Sequence, residues 1–419
     1  MIKRSSSKLK IVFFEHPGFF EPRSMRRFAQ MLSDGMAKRG HSVVSWSPTA
    51  RFSLWAIHRK LRKWLGYIDQ YLVFPFEVKS RLRGLANDTI FVFTDHALGP
   101  WVSLVSNHPH AIHCHDFLAQ HSAMGAVPEH ATGFTGRKYQ GFIRRGFSKG
   151  KNFISVSNKT KEDLHTFLSD APSVSEVVYN GVNKTFLLKN HTKKTRFLAE
   201  HIQADVSNGY ILHVGGNTWY KNRAGVLEIY NAWRLMSQST IPLILIGDQP
   251  SDELLVTKSH SPFHRDISFV TGVDDNFLRL AYEKASVFLF PSFDEGFGWP
   301  IAEAMALGCP VIATNVPPMT EVLGDAGFKI PRRPNNEPAS EWANECARVV
   351  DYVLSLPESE RKIEIEKGLN NAKRFDAENA LDQIEAIYQH ILDSYAPALE
   401  KKHVNDSATN SVLKSRIGY

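Results

Sequence analysis

Short apolar runs alternate along the chain with longer segments in which apolar residues recur every three or four positions. The runs are typical of buried strands, and the periodic segments are typical of amphipathic helices. Strands are predicted at residues 9–14, 41–46, 89–94, 111–114, 153–156, 241–247, 267–273 and 287–290, and another begins at Tyr210. Because strands and helices alternate throughout, the sequence predicts α/β units on parallel sheets.

The length of the chain predicts two domains. Its 419 residues, 43% of them apolar, exceed what one ordinary hydrophobic core accommodates. A polar, basic segment at 184–196 is the natural linker. We therefore expect one α/β domain at 1–190 and a second at 191–372, followed by an amphipathic helix at 373–395 and a flexible polar tail at 396–419.

The loop after the last predicted strand carries a candidate binding site. Gly296 and Gly298 allow the backbone to approach a ligand closely, and Pro300 stands where a helix begins. The free N–H groups and the dipole of a helix start favour phosphate. Carboxylates repel phosphate but accept hydrogen bonds from hydroxyls, so Glu295 and Glu303 favour sugar rings on either side of it. The pattern indicates a nucleotide sugar; the plainer alternative is a capping Glu295 and a solvated Glu303.

The residues from Glu295 to Val311, EGFGWPIAEAMALGCPV, resemble the E-x7-E signature of the retaining GT-B glycosyltransferases of family 4, or glycosyl transferases group 1. The resemblance extends through residues 321–327, EVLGDAG. It implies two Rossmann-like domains that face each other across a cleft, with a C-terminal helix that crosses back to the first domain. It also implies that Glu295 holds the transferred hexose and that Glu303 holds the ribose. The implied backbone amide donors are Gly296, Phe297 and Gly298.

A glycine turn in the second domain resembles the diphosphate-binding loop of this family. Gly216 lies in the turn, and Lys221 matches the lysine that neutralises the leaving diphosphate. The arginine expected a few residues earlier is missing, so either Arg223 replaces it or one cation suffices. Cations at a helix start oppose the dipole and need an anionic partner or solvent. A solvated surface lysine is the alternative for Lys221.

The resemblance implies further site residues on both sides of the cleft. Gly272 and Val273 end the strand that lies against the nucleotide base, and backbone contacts there leave the base undetermined. His115, followed by Asp116, occupies the strand-end "HD" position, where the histidine donates to a sugar hydroxyl or orients the acceptor. An ordinary strand-end histidine is the alternative. Gly18, in a sparse glycine loop after the first strand, is a candidate for contact with phosphate or acceptor.

No metal and no cofactor are expected. His113 and His115 share a face of their strand, which admits a metal pair, but no third ligand follows at a suitable spacing. No two aspartates are separated by one residue, so the sequence lacks the D-x-D metal clamp of the other major glycosyltransferase fold. Lys221, helix N–H groups and Arg223 would then stabilise the leaving diphosphate. In the front-face mechanism favoured for the family, the leaving phosphate accepts the acceptor proton, so no enzymatic nucleophile is required.

Composition narrows the setting of the protein. Cys114, Cys309 and Cys346 lie far apart and form no C-x-x-C spacing, which favours a reducing, cytoplasmic location. The apolar run at 11–14 is too short for a signal-peptide core or a membrane span. The formal charge of +7 is dispersed and no nucleic-acid module is recognisable, so we expect no nucleic-acid partner.

One basic, amphipathic segment stands apart from this average. The segment 51–85 has eight Lys or Arg residues against two acids, Asp69 and Glu77. Its apolar residues recur at helical spacing at Leu61, Trp64, Leu65, Ile68 and Leu72. One interpretation is that this stripe packs on the first domain while the charges are solvated. The other is peripheral contact with the inner face of an anionic membrane, where a lipid-linked acceptor would be presented.

The sequence thus predicts retaining, metal-independent transfer of a hexose from a GDP- or UDP-sugar to a hydroxyl of a glycan or lipid-linked acceptor, in cell-surface polysaccharide synthesis. One alternative is a non-catalytic nucleotide-sugar binder, favoured by the missing loop arginine and the sparse first glycine loop. Another is a GT-B epimerase or phosphorylase. A nicotinamide oxidoreductase is disfavoured, since no G-x-G-x-x-G follows the first strand.

Overall fold

The computed structural model describes residues 8–19, 23–55, 58–86, 88–182, 198, 201–202, 204–335 and 339–395. Their strands form two six-stranded parallel sheets. The first contains β1 (Lys10–Phe14), β2 (Ser42–Trp46), β3 (Thr89–Phe93), β4 (His110–Cys114), β5 (Asn152–Ser155) and β6 (Val174–Val177), in the order β2-β1-β3-β4-β5-β6. The second contains β7 (Ile211–Val214), β8 (Leu243–Gly247), β9 (Ile267–Thr271), β10 (Val287–Phe290), β11 (Val311–Thr314) and β12 (Phe328–Ile330), in the order β12-β11-β10-β7-β8-β9. The predicted α/β class with two parallel sheets is confirmed.

Helices connect successive strands. Those around the first sheet are α1 (Arg23–Lys38), α2 (Arg59–Ile68), α3 (Phe74–Leu82), α4 (Leu118–Ala123), α5 (Phe134–Phe147) and α6 (Asn158–Phe167), with a π-helical turn at Asp69–Val73 and 3-10 helices at Phe52–Trp55 and His96–Leu104. Those around the second are α7 (Arg223–Met236), α8 (Asp252–Ser259), α9 (Asp275–Lys284), α10 (Trp299–Ala306), α11 (Met319–Leu323), α12 (Ala339–Ser355) and α13 (Glu358–Ala372), with 3-10 helices at Trp219–Lys221, His264–Asp266 and Lys373–Phe375. Residues 377–395 form the last described helix, α14. None of the described helices is long and apolar enough to cross a bilayer.

Each sheet is apolar on both faces, which explains why its strands read as continuous hydrophobic runs. Along β1, Val12 and Phe14 belong to one buried cluster, whereas Ile11 and Phe13 belong to another. Successive side chains of a strand point to opposite faces, and helices cover both faces of a parallel sheet. The carboxyl ends of the strands therefore remain as the edge at which loops can build a site.

The C-terminal helix α14 packs on the first domain, as the resemblance implies. Its buried apolar residues join the cluster that contains Ile11 and Phe13. Tyr388 of this helix is fully buried, and its hydroxyl lies 2.7 Å from His113 Nε2. Burial also lowers the pKa of His113 to about 3, so the ring is neutral. His113 is thus a core residue of the contact with α14.

Three sequence predictions fall on residues that the structure does not describe, and three strands were missed. The predicted linker at 184–196, the boundary at 190 and the tail at 396–419 lie outside the described residues. The strands β6, β11 and β12 were not predicted. The three cysteines are buried and free.

The segment 51–85 does not bury its apolar stripe. Leu61, Trp64 and Leu72 are exposed, and Leu65 and Ile68 are half-buried. The interpretation that the stripe packs on the first domain is therefore wrong for its exposed members.

Candidate functional site

The loop between β10 and α10 is shaped as the sequence predicts. Gly298 has a φ of +98°, in the left-handed region that favours glycine, and it is the N-cap of α10. The helix begins at Trp299, so Pro300 is its second residue rather than its first. Either position is one at which a missing N–H is tolerated. No side chain caps this helix, so Glu295 is not its cap and the helix start remains available to a ligand.

The predicted pair Lys221 and Glu295 is brought into direct contact. Lys221 Nζ lies 2.7 Å from Glu295 Oε1, and the two side chains are 14% and 8% exposed. Asn222 joins their loops, because its side chain caps α7 through Gly225 N at 3.1 Å and donates to Pro291 O at 2.9 Å. Lys221 is therefore not a solvated surface lysine, and Glu295 faces a cation in the cleft.

The surroundings of this pair are largely apolar, which strengthens the attraction between the ammonium and the carboxylate. Burial raises the pKa of Glu295, while the charge and hydrogen bond of Lys221 act in the opposite direction. Lys221 Nζ also lies 5.0 Å from the ring centroid of Phe290 and 5.5 Å from that of Tyr220. A ligand that supplies hydroxyls to the carboxylate and negative charge to the ammonium would satisfy both groups.

Glu303 is also buried, and it contacts the opposite domain. Its Oε1 lies 3.0 Å from Nη2 of Arg27 on α1, and its Oε2 accepts from the hydroxyl of Tyr282 at 3.4 Å. The Arg27 guanidinium in turn lies 5.3 Å from the ring centroid of Trp299. Burial raises the pKa of Glu303, and Arg27 opposes this rise. Glu303 is 3% exposed, so the alternative of a solvated helix-face residue is wrong.

Gly296 lies where the two domains touch. A Cβ at this residue would fall 1.7 Å from the backbone oxygen of His115. The carbonyl of Gly296 accepts from the hydroxyls of Ser157 at 2.7 Å and Thr160 at 3.1 Å. Close approach of a ligand at Gly296 stays a prediction, and the structure shows close approach of the first domain there.

His115 is placed at the cleft, but its chemistry differs from the prediction. Its Nε2 lies 2.9 Å from the backbone oxygen of Thr94, which can only accept, so Nε2 carries the proton. Burial lowers the pKa of His115, so the ring is neutral and Nδ1 has only a lone pair to offer. His115 therefore cannot donate to a sugar hydroxyl. It can accept a hydrogen bond from one.

The remaining donor-side candidates fall into two groups. Phe297 turns its ring into the core, 5.4 Å from the ring of Phe375, so only its backbone can serve a ligand. Arg223 is buried and donates from Nη1 to Asp248 O at 3.1 Å, and burial lowers its pKa. Its Nε and Nη2 have no hydrogen-bond partner among the described residues. Gly216 packs on the same aspartate, where a Cβ would lie 2.5 Å from Oδ2.

The last three candidates are Gly272, Val273 and Gly18. Gly272 has a φ of +69° with nothing within 4 Å of a Cβ placed there, and Val273 is half-buried against the core. Gly18 lies exposed in the turn after β1.

The sequence did not reveal two acidic groups beside this pair. Asp294 accepts from the backbone N–H of Glu295 at 2.8 Å, and burial raises the pKa of Asp294 to about 6. Burial likewise raises the pKa of Asp116, which lies close enough to Glu295 to oppose its ionisation. The adjacency of Asp294 to Glu295 and of Asp116 to His115 was the available signal. Among the described residues, no group of three or more His, Cys, Asp or Glu side chains is arranged to hold a metal ion.

The loop between α4 and α5 covers the donor domain from the other side. Its Glu129 pairs with Arg332, and the ring of His130 stacks on Trp219 at 5.8 Å and 15°. A pocket of about 340 Å³ lies beneath this loop. Its lining includes Asp116, Ser122, His130, Thr132, Gln140, Trp219 and Tyr220. No local sequence motif marks these contacts, since their partners lie 89 and 203 residues apart.

Two family models match the chain, one in each half. The model described as Glycosyltransferase Family 4 matches residues 25–186, and the model described as Glycosyl transferases group 1 matches residues 208–351. O-antigen chain mannosyltransferase B of Escherichia coli is 34% identical over 177 residues, which are 42% of this chain and 44% of that protein. O-antigen chain mannosyltransferase RfbU of Salmonella typhimurium is 26% identical over 239 residues, 57% of this chain and 59% of that one. The aligned regions thus cover about half the length of these relatives.

Solved structures share the fold over most of the chain. Anabaena HepE, crystallised with UDP and glucose, superposes with a TM-score of 0.66 at 15% identity, covering 91% of this chain and 100% of HepE. Sucrose-phosphate synthase from Thermosynechococcus elongatus gives a TM-score of 0.67 at 16% identity, covering 92% and 100%. With the two parallel sheets, the crossing helix and the family matches in both halves, the chain belongs to glycosyltransferase family 4, the glycosyl transferases group 1, and has the GT-B fold.

Proposed function

We propose that the protein is a retaining, metal-independent glycosyltransferase that moves a hexose from a nucleoside-diphosphate sugar to a hydroxyl acceptor. The observation that carries this proposal is the buried contact of Lys221 with Glu295, at the E-x7-E loop and at the boundary of the two domains. A cation for the diphosphate and a carboxylate for the hexose hydroxyls lie side by side there. The HepE structure, which holds UDP and glucose, supports a nucleotide-sugar donor of the GDP or UDP class.

Donor binding would replace contacts that these side chains now make with each other. Lys221 would release Glu295 and bind the diphosphate. The N-terminus of α10 at Gly298 would add backbone N–H groups as donors to it. Glu295 then accepts from hydroxyls of the hexose, and Glu303 accepts from the ribose beside or in place of Arg27. Arg223, with two guanidinium nitrogens lacking partners among the described residues, is a second candidate for negative charge. Backbone groups at Gly272 and Val273 would contact the base.

The chemical step needs no covalent intermediate with the protein. The bond from the anomeric carbon to the diphosphate oxygen breaks, the acceptor oxygen bonds to that carbon on the same face, and the acceptor proton passes to the leaving phosphate. Lys221, which Glu295 holds in the cleft before the donor binds, would stabilise the charge that develops on the diphosphate. The contact between Gly296 of one domain and His115 of the other would exclude water from the reacting centre.

The acceptor is proposed to enter through the pocket beneath the α4–α5 loop. The pocket has polar groups for hydroxyls, in Asp116 and Gln140, and an aromatic wall at Trp219. Its volume of about 340 Å³ is at the lower end of the range for small-molecule sites. The relatives named for O-antigen chains support a glycan or lipid-linked acceptor in cell-surface polysaccharide synthesis. The three free cysteines support a cytoplasmic location.

Nucleoside-diphosphate release from a panel of GDP- and UDP-sugars, with and without acceptor extracts, tests this proposal. We expect release with one donor that depends on acceptor, persists in EDTA, and is lost in Glu295→Gln. NMR of the product should show the anomeric configuration of the donor. An inverted product would overturn the retaining mechanism, and loss of turnover in EDTA that a divalent ion rescues would overturn metal independence. Donor binding without release in wild type would favour the non-catalytic binder.

A further inference from the structure

The segment that contains α2, the π-helical turn and α3 presents its large apolar side chains to solvent. Leu54, Trp55, Trp64, Leu72 and Phe76 are 69%, 78%, 66%, 60% and 73% exposed. Scattered apolar residues are normal on protein surfaces, but five large ones within 23 residues of one chain segment form an unusual concentration.

The segment packs against the first domain through buried Phe74 and Val78 and through two buried polar residues, which together fix its orientation. Asp69 is buried, and its carboxylate accepts the backbone N–H groups of residues 51–53 at 2.9 to 3.1 Å. Gln70 is buried beside it, and its backbone oxygen accepts from Trp101 Nε1 at 3.0 Å. Rolling the helix to bury Trp64 would break these hydrogen bonds and leave buried polar groups unsatisfied. The outward orientation of Trp64 and its exposed apolar neighbours is therefore fixed by the buried residues on the opposite side of the segment.

The exposed residues extend onto a neighbouring helix. Tyr67 and Tyr71 lie against Tyr139 and Phe142 of α5, with ring centroids 5.7 and 5.3 Å apart, respectively. Phe142 is itself exposed. We call the exposed apolar side chains of residues 52–76, together with Phe142, the aromatic face.

Cations border the aromatic face and few acids do. Four exposed basic residues form no ion pair in the part of the chain that the structure describes: Arg62, Lys63, Lys79 and Arg83. Of the two acids in the segment, Asp69 is buried, and Glu77 is neutralised by Arg51 and Arg81. The solvent-facing charge of the segment is therefore positive.

We propose that the aromatic face docks the first domain on the surface of an anionic phospholipid bilayer. Tryptophan and other aromatic side chains partition into the headgroup region, and each adjacent Lys or Arg is attracted to anionic lipid. A second copy of this chain is a poorer occupant, because two positive faces repel each other. This surface is an addition to the transfer chemistry proposed above and does not depend on it.

Co-sedimentation of the full chain with vesicles tests the proposal. Vesicles of phosphatidylcholine alone are compared with vesicles that also contain phosphatidylglycerol, at low and high salt. We expect binding to the anionic vesicles that weakens but persists at high salt. The variant Trp55→Ser/Trp64→Ser should lose about tenfold in partitioning to both kinds of vesicle, and Arg62→Glu/Lys63→Glu should lose the preference for phosphatidylglycerol. Leu235→Ser, at a residue 76% exposed on the other domain, is the matched control and should bind as wild type.

The outcomes separate this surface from the transfer reaction. Absence of binding to either vesicle, or equal loss in Leu235→Ser, overturns the proposal. If Trp55→Ser/Trp64→Ser instead converts a dimer to a monomer in light scattering and leaves vesicle binding unchanged, the face is an interface between copies. Donor turnover with a soluble acceptor should be unchanged in the surface variants, so a wild type that binds vesicles but releases no nucleotide would refute only the proposed function.

Discussion

Replacing Lys221 by methionine removes the cation of the proposed site while keeping the length of the side chain. In the structure this leaves Glu295, 8% exposed, without the ammonium that lies 2.7 Å from its Oε1. The variant therefore perturbs stability and catalysis through the same contact, and the two effects can be measured separately.

The expected magnitudes follow from burial. Removing one partner of a buried ion pair costs about 3–5 kcal/mol. Protonation of Glu295 relieves part of this cost. We therefore expect Lys221→Met to lower the free energy of unfolding by about 2 kcal/mol near pH 8, which corresponds to a fall in the melting temperature of about 5 °C. Because the pKa of Glu295 is raised by burial and rises further without Lys221, the deficit should shrink as the pH falls below that pKa. Loss of the cation at the diphosphate should lower kcat by about 10²–10³.

The assay is a double-mutant cycle with two readouts. Thermal unfolding and donor turnover are measured for Lys221→Met, Glu295→Gln and the double variant, with Lys149→Met, at an exposed lysine, as the control. The double variant should recover about 2 kcal/mol of stability relative to Lys221→Met, since no buried charge is left unpaired. It should recover no activity.

Three results would refute the reasoning. A Lys221→Met enzyme with a kcat near that of wild type would remove Lys221 from the neutralisation of the diphosphate. A double variant no more stable than Lys221→Met would mean that the two residues are not coupled. A double variant with restored turnover would reduce the pair to a structural contact.

Three further predictions concern the same cleft. Gly296→Ala, whose Cβ would lie 1.7 Å from His115 O, should push the domains apart and lower both melting temperature and kcat; Gly141→Ala, inside α5 with open space at its Cβ, should lower neither. Asp294→Asn should stabilise the protein by about 2 kcal/mol near pH 8 and not near pH 4, because ionisation of Asp294 above its pKa of about 6 opposes folding; urea unfolding at both pH values measures this. Glu303→Gln should raise the donor KM by about tenfold with a smaller effect on kcat, as expected for a ribose contact made equally in ground and transition states; an unchanged KM would count against that role.

Much of the fold could be predicted because its strands are buried on both faces. Runs such as those of β1, β3 and β10 are apolar at every position or nearly so, which makes them visible without knowledge of their partners. Two of the strands that escaped prediction carry weaker signals. β6 reads Val-Ser-Glu-Val, and β12 has three residues, so neither shows a run long enough to recognise.

The candidate site divides along a similar line. The contact of Lys221 with Glu295 joins two local motifs, each recognisable by itself, and the parallel sheet brings their loops together at one edge. The role of Arg27 and the requirement for glycine at 296 depend on how one domain lies against the other. The tautomer of His115 depends on a backbone oxygen 21 residues away. Such contacts leave no periodicity or spacing in the sequence, so they could not be predicted from it.

The described ends of the two passages between the domains lie side by side. Val182 N–H donates to Phe375 O at 2.7 Å, Val182 forms a parallel bridge with Asp376, and a Cβ at Gly181 would fall 2.2 Å from Ala377 Cα. We therefore expect the domains to open by rotation about an axis near these residues. The contacts of Gly296 with His115 and of Arg27 with Glu303 would then part in a single rotation, so donor entry and domain separation become one coordinate.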